Sequence, residues 1–152
     1  MNGIGDTMPS SLDAVRVLPP TPPDAYFGVA ADLLTGIQVL ATASVPVGLS
    51  LSMLCAHALE CILKAYLSRD GNDSRLKELN VRHNLLALWF LARAEGLDIP
   101  ATPPSWVSCL SGLHEAPYYL RYSTGVHGIV MPSQQPMVEE LEALLVQVQD
   151  QL

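Results

Sequence analysis

The chain has 152 residues with a net charge of −7, and 49% of its residues are apolar but only 6% aromatic. A single domain of this length buries a core without disulfide or metal staples. The apolar mass is Leu, Ala and Val, as in packed helices rather than sheets. Eight Lys and Arg against fifteen Asp and Glu exclude a broad electrostatic groove for nucleic acid. Any RNA contact has to be local, through a few basic residues or a surface shared between subunits. The cysteines Cys55, Cys61 and Cys109 are odd in number and form no CxxC pair. They read as buried reduced thiols in a cytoplasmic protein rather than disulfides or zinc ligands.

In chain order, residues 1–23 lack a basic start and an apolar signal core, and end in VLPPTPP. They read as a flexible Pro-rich N-terminal arm preceding one helical domain over residues 24–152. A first helix is predicted from Asp24, as N-cap, to about Ser44, with Tyr26, Val29, Ala30, Leu33, Leu34, Ile37 and Leu40 at helical spacing. Pro46 and Gly48 break it. A second helix runs from about Leu49 to Ser68, with Leu51, Leu54, Cys55, Ala58, Ile62 and Ala65 in one stripe and His57, Glu60 and Lys64 on the next face. The apolar stretch from Val29 to Leu67 raises a membrane question. Asp32, Gln38, Pro46, His57, Glu60 and Lys64 interrupt it, which favours buried bundle helices and no membrane.

The segment RDGND stops the second helix, and a helical turn is expected over residues 74–79. A third helix starts after Asn84, as N-cap, and ends at Gly96. A fourth starts at Pro104 or Ser105, kinks at Pro117 and resumes through Tyr122; a loop, STGVHGIVMPSQQP, follows. Within it Ile129 to Met131 is the one strand-like run. A fifth helix opens at Pro136, with Glu139, Glu140 and Glu142 early, where carboxylates oppose the positive end of the helix dipole.

No phosphate-cradling glycine loop, GxSxG elbow or HExxH helix occurs. His57, His83, His114 and His127 are scattered, with none at i,i+4 to another, so neither a metal nor another cofactor is expected. Glu60 and Lys64 read either as groups positioning a reactant or as a surface i,i+4 ion pair worth a few tenths of a kcal/mol; spacing alone favours the ion pair. Arg121 and His127 bracket YSTGV. A guanidinium can hold a phosphate bidentately, and an imidazole can move a proton near neutral pH. The same two residues also suit helix capping and loop hydrogen bonding, and spacing alone favours that reading.

Three segments together resemble one family. AHALECILKAYLSRDG (56–71) resembles the second helix of HEPN domains, with a Glu and a Lys among small apolar residues before a Gly-containing turn. RHNLLALWFLA (82–92) is similar to the family's G-H-D-L-x-x-L helix start, with Asn84 in place of Asp. LRYSTGVH (120–127) looks like its R-x(4 to 6)-H signature, with five residues between Arg121 and His127. The order is that of the family, and the segments fall within residues 25–150.

The resemblance implies an all-α, up-and-down bundle of four to five helices and a homodimer in which two Arg–His motifs face each other. In catalytic members such a site is a metal-independent ribonuclease, in which the RNA 2′-hydroxyl attacks its own phosphate and leaves a 2′,3′-cyclic end. By position, Arg121 would bind the scissile phosphate and His127 would be the acid–base group, with Glu60, Lys64 and Tyr122 shaping the site. Other members are non-catalytic modules that bind a nucleotide or a partner protein, such as an antitoxin or a nucleotidyltransferase-type protein. Arg121-Tyr122-Ser123 is close to the arginine-tyrosine-proline variant common among them.

Overall fold

A computed structural model describes residues 21–122 and 128–152. It is all-helical, a bundle of α1 (Asp24–Ala41), α2 (Gly48–Leu67), α3 (Leu85–Ala94), α4 (Ser105–His114) and α5 (Gln134–Gln149), with one 3₁₀ turn at Ser74–Lys77. The expected fold class is therefore observed. Ile129 to Met131 is not a strand, and no strand occurs among the described residues.

Helix α2 is the axis of the fold, packing against each of the other four helices. Its residues from Ala58 to Ser68 are all buried, so over this stretch it has no solvent face. Leu59, Ile62, Leu63 and Leu67 are fully enclosed, and each such side chain contributes about 1.5–3 kcal/mol relative to exposure. Helix α2 is also the one described helix long and apolar enough to cross a membrane, but two thirds of that window (67%) lies inside the bundle. A helix hydrophobic nearly all round is what the centre of a bundle requires.

The termini follow local chemistry. Asn84 caps α3, its side chain accepting from the Ala87 amide at 3.0 Å. Gly96, at φ +102°, ends that helix in the left-handed region where a side chain would be strained. Asp24 is not the N-cap of α1: Pro23 precedes the helix, and Asp24 is its first residue, an acidic group facing the N-terminal dipole. Pro136 is the third residue of α5 rather than the first; a proline in the first turn forfeits no intrahelical bond. Helix α4 does not resume after Pro117. Residues 115–121 form turns instead, with Tyr118 at φ +64° and its carbonyl accepting from the amides of Arg121 (2.9 Å) and Tyr122 (2.8 Å).

Candidate functional site

The site begins with a charge that the fold buries. Glu60 and Lys64 lie in the enclosed half of α2 and are only 4% and 6% exposed. The surface ion pair favoured by their spacing is therefore corrected: over this half of the helix every side is covered by another element. A buried carboxylate is tolerated when it is paired and hydrogen-bonded, and Glu60 is saturated with partners. Lys64 Nζ donates to Oε1 at 2.6 Å, His114 Nε2 to Oε2 at 2.6 Å and His83 Nδ1 to Oε2 at 3.1 Å. Burial pushes the Glu60 carboxyl up. The hydrogen bond from His114, the charge and hydrogen bond of Lys64 and the bond from His83 outweigh that and hold it down at about 2.

Two histidines distant in sequence thus converge on one oxygen. His83 comes from the segment before α3, and its ring meets those of His114 and Tyr118 edge-on, at 6.0 and 6.3 Å. His114 ends α4 and is buried. The donor atoms of Glu60, His83 and His114 lie within 4.8 Å of one another, the one such set among the described residues. Their spacing is that of hydrogen bonds. Oε2 and His114 Nε2 at 2.6 Å leave no room for an ion between them, and the adjacent Lys64 ammonium opposes a second positive charge.

Beyond His114 lies a cavity of about 240 Å³ lined by Met53, Leu54, His57, His114, Leu120 and Arg121. Leu120, 4% exposed, anchors the turn after α4 and so sets the exposed Arg121 at the rim. The Arg121 guanidinium lies 5.8 Å from the Tyr118 ring centroid, within cation–π range. His57 faces the cavity from α2. Partial burial of its ring lowers its pKa, against the pull of Glu60 and with the help of His114 and Arg121. The cavity therefore offers one permanent cation and two imidazoles, one backed by an ionised carboxylate.

Of the residues singled out in the sequence, Glu60, Lys64 and Arg121 belong to this assembly. Tyr122 is 63% exposed and does not line the cavity. His127 lies outside the described residues. The expectation that the histidines remain scattered is corrected for His83 and His114, which helix packing joins across 23 and 54 residues from Glu60. Their role was missed because no local spacing connects them. The available signal was an acid in an apolar helix, which requires partners from elsewhere in the chain.

The fold and site define a five-helix bundle with a carboxylate–imidazole cluster behind an arginine-rimmed cavity. Compared with known proteins, the chain matches no family model, no curated protein and no solved structure.

Proposed function

We propose that this chain is a HEPN-like dimeric domain that holds an RNA phosphodiester at Arg121 and cleaves it without a metal, as a toxin-type ribonuclease. One observation carries this reading: a guanidinium and two imidazoles line a single cavity, and one imidazole has an ionised carboxylate behind it. These are the groups that 2′-hydroxyl attack on phosphorus needs. A cation offsets the phosphorane charge, and imidazoles exchange protons near neutral pH. His127, six residues beyond Arg121 in the sequence, supplies a further acid–base candidate.

The dimer reading is supported by exposed apolar side chains, one of which lines the cavity. Val39, Val45, Leu49 and Met53 are exposed on the end of α1, its link to α2 and the start of α2, and Met53 also lines the cavity. A second copy covering them would bring two arginines together and compensate locally for the acidic balance of the chain. Free thiols at Cys55, Cys61 and Cys109 suit a reducing, cytoplasmic setting.

The test is incubation with a mixed-sequence oligoribonucleotide in EDTA, with the product ends identified. Products with 2′,3′-cyclic phosphate and 5′-hydroxyl ends, lost in Arg121→Ala, are expected. A net charge of −7 favours a second reading: a non-catalytic module that binds a nucleotide or a partner protein, such as an antitoxin or nucleotidyltransferase-type protein, at the same cavity. Uncut RNA together with mononucleotide binding that depends on Arg121 selects it.

A further inference from the structure

The buried cluster distinguishes His114 from the other imidazole at the cavity. Its Nε2 is tied to Glu60 Oε2 at 2.6 Å. A carboxylate at that distance fixes the tautomer, because the acceptor oxygen requires the proton on Nε2 and leaves Nδ1 as the lone-pair nitrogen. Nδ1 has no hydrogen-bond partner among the described residues. His114 lines the cavity that Arg121 rims; with Nε2 committed to Glu60, Nδ1 is the nitrogen left to act on a ligand held there.

We propose that His114 is the catalytic base of the reaction assigned above, with Glu60 as its positioning residue. This rests on the ribonuclease reading. With the scissile phosphate on Arg121, His114 Nδ1 takes the proton from the RNA 2′-hydroxyl. The 2′-oxygen forms a bond to phosphorus and the bond from phosphorus to the 5′-oxygen breaks. The proton is returned to that departing oxygen, directly or through water, which leaves a 2′,3′-cyclic phosphate and a 5′-hydroxyl.

Glu60 keeps Nε2 protonated and stabilises the imidazolium formed in the step, as the buried aspartate does in a serine-protease triad. His83 bonds the same Glu60 oxygen and limits its rotation. The charged and titratable groups around His114 are Glu60, Lys64 and His57 from α2, His83 from before α3, and Arg121 from the turn after α4. His57 has no carboxylate within hydrogen-bond distance; its one side-chain hydrogen-bond contact among the described residues is Cys61 Sγ at 3.9 Å.

Three measurements test this. The first is cleavage of the oligoribonucleotide by wild-type protein, by His114→Ala and by His114→Ala with added imidazole. The second is the ¹⁵N spectrum of the histidines, with and without uridine 3′-monophosphate, in wild type and Arg121→Ala. The third is the pH–rate profile of Glu60→Gln.

The expected results are a loss of about 10²–10⁴-fold in His114→Ala, partial rescue by imidazole, and a His114 Nδ1 resonance that moves with the nucleotide only when Arg121 is present. In Glu60→Gln the neutral imidazole is favoured, so the ascending limb of the profile moves to lower pH and the plateau falls. A purely structural Glu60 would lower the plateau without moving the limb.

A folded His114→Ala that cleaves within about threefold of wild type overturns the role of His114 and leaves the ribonuclease reading standing. Activity lost without rescue, alongside a resonance that ignores the nucleotide, also overturns it. Failure of the wild-type protein itself to cleave overturns both, and is distinguished by that control. If His114→Ala unfolds, His114→Gln and the wild-type spectra decide the matter in the same way.

Discussion

Replacing Glu60 by Gln probes the centre of the molecule most directly. The substitution preserves shape and removes one charge, so Lys64, 6% exposed, is left without the carboxylate that sits 2.6 Å away. Removing one partner of a buried pair costs about 3–5 kcal/mol, because the other charge remains buried and uncompensated. The pKa displacement gives an independent figure. A carboxyl held at about 2 instead of its ordinary 4.5 corresponds to about 3 kcal/mol at neutral pH.

The sign follows from the depressed value. The contribution is fully present above the unfolded-state value near 4.5 and is lost as pH falls through the folded-state value near 2. Urea denaturation at pH 7 is expected to show Glu60→Gln less stable by about 3–5 kcal/mol with an unchanged m-value. Lys64→Met combined with Glu60→Gln is expected to recover much of that loss, since a buried pair replaced as a unit is often nearly neutral. Between pH 5 and 2 the stability of the wild-type protein is expected to fall more steeply than that of Glu60→Gln. If Glu60→Gln lies within about 0.5 kcal/mol of wild type and shows no coupling to Lys64 in the double-mutant cycle, the buried network does not exist as described.

Other outcomes follow from single features. Asn84→Ala removes the side-chain acceptor for the Ala87 amide and is expected to cost about 1 kcal/mol, with faster amide exchange in the first turn of α3. Gly96→Ala forces a side chain into φ +102°, with Tyr66 Oη 3.5 Å from the new methyl group; a loss of about 1–2 kcal/mol in thermal or urea unfolding is expected. In native protein at pH 8, a thiol reagent is expected to label the partly exposed Cys109 first. Burial pushes the Cys55 and Cys61 thiols up to about 12, so their modification should follow global unfolding. Equal rates for all three thiols would contradict the packing of α2.

Much of the fold is legible because helices are local objects. The apolar period of α1 and α5, the break before α2 at Pro46, the Asn84 cap and the stop at Gly96 are each written within a few residues of where they act, and each appears in the structure, although Gly48, expected in that break, is the first residue of α2. The sequence after α4 reads as a continuing helix because nothing local forbids one from Tyr118 to Tyr122. What decides it is Leu120, which is buried against the bundle, while the Tyr118 carbonyl gathers the amides of Arg121 and Tyr122.

The candidate site divides along the same line. Sequence alone selects Glu60, Lys64, Arg121, Tyr122 and His127 as the residue types suited to a site; the first three belong to the assembly, Tyr122 does not line its cavity, and His127 lies outside the described residues. Sequence could not decide whether Glu60 and Lys64 face water, because an i,i+4 pair looks the same on an exposed face and on the axis of a bundle. Tertiary structure decides that by surrounding α2, and burial then requires Glu60 to find donors. Those donors are His83 and His114, residues that no spacing rule connects to one another or to Glu60. Helix identity is set by neighbours along the chain; the orientation of the His114 ring is set by an acid 54 residues away, which only packing brings within hydrogen-bond distance.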